Sequence, residues 1–72
     1  MPKRAEVIAK IRKAARAKGL TFEFEREGGS HEIWILDGIR VPIGRHAYVH
    51  EHLALKIYKQ CQPALGNGWW RH

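Results

Sequence analysis

His31 is the first chemistry-bearing residue to stand out. It closes the stretch Gly28-Gly29-Ser30-His31 and opens the run HEIWIL. Histidine can take or give a proton near neutral pH. Two glycines ahead of it leave room for a bulky backbone such as a phosphodiester. Ser30 offers a hydroxyl to a phosphate oxygen. The plainer alternative is a glycine turn, a capping serine and a histidine satisfied at a strand rim. Further along, Arg45 and His46 are adjacent, and Lys56 and Lys59 stand three residues apart.

The whole chain bounds what such groups can do. Seventy-two residues make one domain with a modest core, so a site is expected in a groove or on a rim. Cys61 is the sole cysteine, which excludes an intrachain disulfide and a cysteine-based zinc cluster. A reducing, cytoplasmic setting is the expectation. No run reaches the roughly 18 apolar residues of a membrane span, and no apolar segment follows the basic start as in a signal peptide.

The net charge is +6 and unevenly spread. Lys3, Arg4, Lys10, Arg12, Lys13, Arg16 and Lys18 face only Glu6 in the first quarter. The middle is acidic, and the last third is basic again. Basic ends suit a polyanion such as nucleic acid, or simply a solvated helix face.

Residues 4–18 predict a helix. Val7, Ile8, Ile11, Ala14 and Ala15 share one face, while Lys10, Arg12, Lys13 and Arg16 fall on the other. Pro2 and Gly19 suit its two ends. Residues 21–27 alternate as a strand, with Phe22 and Phe24 on one side and Glu23, Glu25 and Glu27 on the other. Gly28-Gly29 is read as the hairpin turn into a second strand, residues 31–36. Asp37-Gly38 is a strong turn signal into a third, residues 39–43, whose Pro42 suits a sheet edge. Residues 50–62 predict a second helix with the stripe Leu53, Ala54, Ile57, Tyr58 and Cys61, stopped by Pro63. Trp69 and Trp70 in the tail are expected to fold back onto the body or dock on another chain.

The expected fold class is therefore α+β, αβββα, with a three-stranded antiparallel sheet covered on one face by two helices. By alternation, His31, Ile33 and Ile35 are assigned to the covered face. Trp34 and Leu36 are assigned to the open face with Glu23, Glu25 and Arg40, making Trp34 a candidate contact surface. His31, as the first residue of its strand, would be anchored by packing yet reachable.

The αβββα order with Gly29-Ser30-His31 entering the second strand resembles the HicA (YcfA-like) toxin family. Asp37-Gly38, Arg45-His46 and the Lys56 to Gln60 segment fall in register with it, and the likeness runs from about Glu6 to Gln62. Gly44 stands where the family usually has proline before the arginine-histidine pair. The resemblance implies a fold like a double-stranded-RNA-binding domain over residues 1–62, with 63–72 a Trp-rich tail. It implies a toxin endoribonuclease that cleaves mRNA and is neutralised by a HicB-type antitoxin, through which it could oligomerise. It makes His31 the catalytic residue.

On that reading His31 acts as base or acid, with Arg45, Lys56 and Lys59 as charge stabilisers. His46 is either a second proton carrier or a surface loop histidine. Gly29 and Ser30 shape the approach to His31. Lys10, Lys13 and Arg16 hold the RNA backbone without reading sequence. Attack by the 2′-hydroxyl requires no metal and spares DNA. His46, His50 and His52 are not expected to form a metal site, because His50 and His52 would diverge by about 200° on an α-helix, and no cofactor is expected. The rivals are a non-catalytic RNA-binding module of the same fold and a protein-interaction domain.

Overall fold

The computed structural model describes residues 2–71. Helix α1, Arg4–Ala17, leads into strands β1, Phe22–Gly28, β2, His31–Leu36, and β3, Ile39–Gly44. Helix α2, Glu51–Gln60, follows. A single turn, α3, Gln62–Leu65, and a 3-10 turn, Trp69–Arg71, complete the chain. The strands form one antiparallel sheet in the order β1-β2-β3. The α+β class and three-stranded sheet expected from the sequence are present, and Pro42 lies on an edge strand.

The ends of α1 follow its sequence. The Glu6 carboxylate accepts the Lys3 backbone N–H at 3.4 Å, which satisfies one of the orphan donors at a helix start. At the other end Gly19 adopts φ +69°, and the N–H of Leu20 reaches back to the Ala15 carbonyl at 2.9 Å. That is a Schellman termination, which favours glycine. Asp37 and Gly38 both take positive φ, as a two-residue hairpin turn with the right twist demands. This turn pairs Leu36 with Ile39, and so Trp34 with Val41.

That pairing corrects the face assignment of β2. Trp34 and Leu36 lie in the core, 9% and 0% exposed, with Phe22, Val41 and Ile43. Trp34 stacks on Phe22 with ring centroids 4.8 Å apart, so it is no free contact surface. His31, Ile33 and Ile35 share the other face, with Arg40 and Pro42 of β3. The cause is a β-bulge. The β1–β2 turn is Gly29-Ser30, not Gly28-Gly29, and unbroken pairing from it would set Phe24 against Ile35. An extra residue between Phe24 and Arg26 shifts the register and sets Phe24 against Trp34. The shift also breaks the expected glutamate row. Arg26 pairs with Ile33 and Glu27 with Glu32, while Glu23 stays opposite Ile35.

Both helices close the covered face. Val7, Ile8, Ile11 and Ala15 of α1 are buried, as are Ala54 and Ile57 of α2 and Cys61 just beyond it. Leu53 departs from the expected stripe and is 48% exposed. α2 ends one residue before Cys61, and Pro63 sits in the first turn of α3, where its missing N–H costs nothing. The tail folds back. Leu65 and Trp69 are buried, and the Trp69 indole N–H donates to the Tyr58 carbonyl at 2.8 Å.

The bulge gives a sharp contrast. Leu36→Ala is expected to cost about 2–5 kcal/mol in urea unfolding. Ile35→Ala, on the uncovered face, is expected to cost less than about 1 kcal/mol. Equal costs would sink the face assignment. Burial also pushes the Cys61 thiol up to about 12. At neutral pH native protein should therefore be silent to a thiol reagent and react only after denaturation; prompt labelling of native protein would contradict the packing.

Candidate functional site

His31 opens β2 and is solvent-exposed. Its neighbours across the sheet are glycines on both sides, Gly28 of β1 and Gly44 of β3. A strand residue is normally flanked by two side chains. Here there are none, so neither cross-strand partner puts a side chain between the imidazole and a bulky ligand. A Cβ added at Gly44 would already stand 3.9 Å from the ring's Cδ2. The Ser30 hydroxyl lies 3.1 Å from His31 Nδ1, which fixes the ring's orientation from the turn. Gly29 holds φ +64° in that turn.

A groove of about 300 Å³ opens from His31 between β3 and α2. His31, Pro42 and Gly44 form one side, and Leu53, Lys56, Ile57 and Gln60 form the other. His46, Tyr48 and Val49 line it from the connecting loop. Among the described residues no carboxylate lines it. The structure thus brings three of the expected site residues, His31, His46 and Lys56, to one concavity.

The others are placed elsewhere. The Arg45 guanidinium donates to the Gly29 carbonyl and lies 3.8 Å from Glu27. It ties the β3–α2 loop to the β1–β2 turn and does not line the groove. Lys59 is exposed in the last turn of α2, outside the groove. Lys10 and Lys13 line a second groove of about 230 Å³ with Ala14, Ala17 and Trp69. The Lys10 ammonium stands 5.6 Å from the Tyr58 ring centre, and Arg12 lies at the same distance over Trp34. The cationic back of α1 is therefore partly spent on aromatic faces of its own protein. Arg16 is exposed near the helix end.

Sequence reasoning missed Arg4 and Glu32. Arg4 donates through Nε to the Gly44 carbonyl at 2.8 Å and through its second amine to Glu32. The same Glu32 oxygen accepts the Trp34 indole N–H at 3.1 Å. Next to this cluster, Arg4 N–H bonds the Ala47 carbonyl at 2.8 Å and Val49 N–H bonds the Pro2 carbonyl at 2.9 Å. The N-terminal segment thus clamps the loop that carries His46 and Tyr48. An arginine among seven cations in the first 18 residues gave no signal of this contact. Tyr48, Leu53 and Gln60 were missed as well. Tyr48 falls in a segment whose pattern predicts only a loop, and Leu53 fits the apolar stripe of the second helix by spacing.

His50 is the N-cap of α2 rather than a helical residue, so the angular separation from His52 does not hold; their rings lie 4.3 Å apart. Among the described residues no group of three or more His, Cys, Asp or Glu side chains is placed to hold a metal ion. None of the described helices is long and apolar enough to cross a membrane. No family model, curated protein sequence or solved structure matches the chain.

The Arg4 cluster is testable as a support. Arg4→Ala leaves the partly buried Glu32 with one partner and is expected to cost about 1–3 kcal/mol in urea unfolding. Glu32→Gln keeps an acceptor for Trp34 and should cost less. Both variants matching wild type would show that the cluster carries no structural weight.

Proposed function

We propose that the protein is a metal-independent endoribonuclease of the HicA type, with His31 as its principal proton-transfer residue. The observation that carries this reading is the setting of His31: an exposed imidazole between two glycines, at one end of a groove that holds two further potential cations and no carboxylate. A structural histidine has no use for a cleared approach on both sides. A phosphodiester does, because it is bulky and anionic.

The chemistry follows from the ligand. One imidazole removes the proton of a ribose 2′-hydroxyl. The 2′-oxygen bonds to the adjacent phosphorus, and the bond to the 5′-oxygen breaks. A second group returns a proton to that oxygen, leaving a 2′,3′-cyclic phosphate and a 5′-hydroxyl. His31 takes one of these proton steps and His46 lies in the same groove for the other. Lys56 supplies the positive charge that the crowded phosphorus demands. Arg45 is reassigned from charge stabiliser to positioning residue, since its guanidinium is engaged at Gly29. Lys10, Lys13, Arg16 and Lys59 remain as outer contacts to the RNA backbone. The αβββα arrangement accords with a fold like a double-stranded-RNA-binding domain. The reading brings with it an mRNA substrate, a cytoplasmic setting and a HicB-type antitoxin seated over the groove.

Purified wild type should cleave RNA in EDTA and leave DNA intact. His31→Ala should lower cleavage by about 100-fold or more while RNA binding survives, since positioned proton transfer contributes about 10²–10⁴-fold. Lys56→Ala should lower it less. Equal cleavage by wild type and His31→Ala would remove His31 from the chemistry. Binding without cleavage by wild type would leave a non-catalytic RNA-binding module.

A further inference from the structure

The ribonuclease reading uses the polar rim of the groove and leaves its apolar interior without a task. Pro42, Val49, Leu53 and Ile57 are aliphatic surfaces in a place where a phosphate would be poorly solvated. Leu53 and Tyr48, both lining it, are 48% and 57% exposed. The exposure of Tyr48 is not slackness of the loop. Its backbone bridges Lys3, and the residues on either side are hydrogen-bonded to Arg4 and Pro2. A phenol ring carried on a pinned backbone and open to solvent is a platform. Gln60 adds one amide, with a donor pair and an acceptor, to a helix wall otherwise made of Leu53, Ile57 and Lys56.

We infer that this groove is a seat for one unstacked nucleobase of single-stranded RNA, with the base against Tyr48, Leu53 and Pro42 and its edge toward Gln60. The inference rests on the ribonuclease reading for the nature of the ligand. Its own support is chemical. A nucleobase is flat and apolar on its faces, polar on its edge, and attached to an anion. The groove matches those parts in turn: an aromatic and aliphatic wall, one amide, and a rim of His31, His46 and Lys56 with no acid to repel phosphate. Its volume of about 300 Å³ sits at the small end of the range for ligand pockets. A base in a duplex offers only its edge, so the seat selects single-stranded RNA. Seating a base beside His31 would also hold the adjoining phosphodiester at the imidazole, which makes Tyr48 and Leu53 positioning residues for the cleavage step.

The test measures binding and not cleavage, so that it is independent of catalysis. Fluorescence anisotropy compares a short single-stranded RNA with 2′-fluoro sugars, which cannot undergo 2′-hydroxyl attack, with an abasic oligomer of equal length and charge. Wild type should prefer the base-bearing strand. Tyr48→Ala should weaken it by roughly five- to hundredfold, the span for losing one aromatic stack, and leave the abasic oligomer unchanged. Tyr48→Phe should retain affinity, which separates stacking from folding. Equal binding of the two oligomers by wild type would overturn the seat, as would Tyr48→Ala binding like wild type. Failure of both oligomers to bind would overturn it in favour of an apolar side chain from a protein partner. If the base preference and its Tyr48 dependence hold while natural RNA is never cleaved, the seat stands and the ribonuclease reading falls.

Discussion

A central strand with two apolar sides and helices on only one of them must choose which side to bury. β2 faces that choice, with Trp34 and Leu36 on one side and Ile33 and Ile35 on the other. The bulge between Phe24 and Arg26 and the Asp37-Gly38 turn settle it together. The turn aligns Leu36 and Trp34 with Ile39 and Val41. The bulge brings Phe22 and Phe24 onto the same side. Had β1 run without the extra residue, its two phenylalanines would have joined Ile35, and the two hairpins would have sought opposite faces. A one-residue slip turns every side chain over, so this one insertion decides where Trp34 and His31 both go. His31 is on the open face because Trp34 is in the core.

Periodicity was enough for most elements. The stripe of Val7, Ile8, Ile11 and Ala15 and the run HEIWIL yield α1 and β2 with nearly the observed bounds. The correct face of β2 was also partly legible. A two-residue Asp37-Gly38 turn requires Leu36 to sit opposite Ile39, and strand alternation puts Ile39, Val41 and Ile43 on one side. The alternation of Phe22 and Phe24 in β1, carried to the first turn without a bulge, points to the opposite face. The bulge itself left no trace. Glu23, Glu25, Arg26 and Glu27 are polar in either register, so no apolar residue reported the slip. The groove was hidden for a related reason. Leu53 fits a helix stripe by spacing, but a stripe does not say where the covering sheet ends. At the β3 edge it ends short of Leu53.

Arg4 shows how charge in a sequence divides into kinds that look alike on paper. One cation reaches the Gly44 carbonyl and Glu32, and through Glu32 the Trp34 indole. It joins α1 to the last residue of β3 and to the middle of β2. Arg45 makes a second such tie, from the loop to the Gly29 carbonyl. Arg12 and Lys10 lie over aromatic rings. These are long-range contacts, set by the fold and not by local spacing, so a count of basic residues overstates the charge free for a polyanion. Lys56 differs in that it lines a concavity with two histidines and no acid.

These ties bear on what the groove can do. The site is an open groove, and an open rim positions a reacting group poorly unless the pieces around it are stiff. The pieces here come from three places: the start of β2, the β3–α2 loop and the outer side of α2. Each is fastened to a different part of the molecule. His31 is held within the sheet and by Ser30. The loop is pinned by Pro2 and Arg4. α2 is anchored by Ala54 and Ile57, and the tail behind it is locked through the bond from Trp69 to the Tyr58 carbonyl. On the ribonuclease reading, precision at His31 is therefore a property of residues that never touch RNA. Loosening Arg4 would act on the groove through the loop, even with His31, His46 and Lys56 all present.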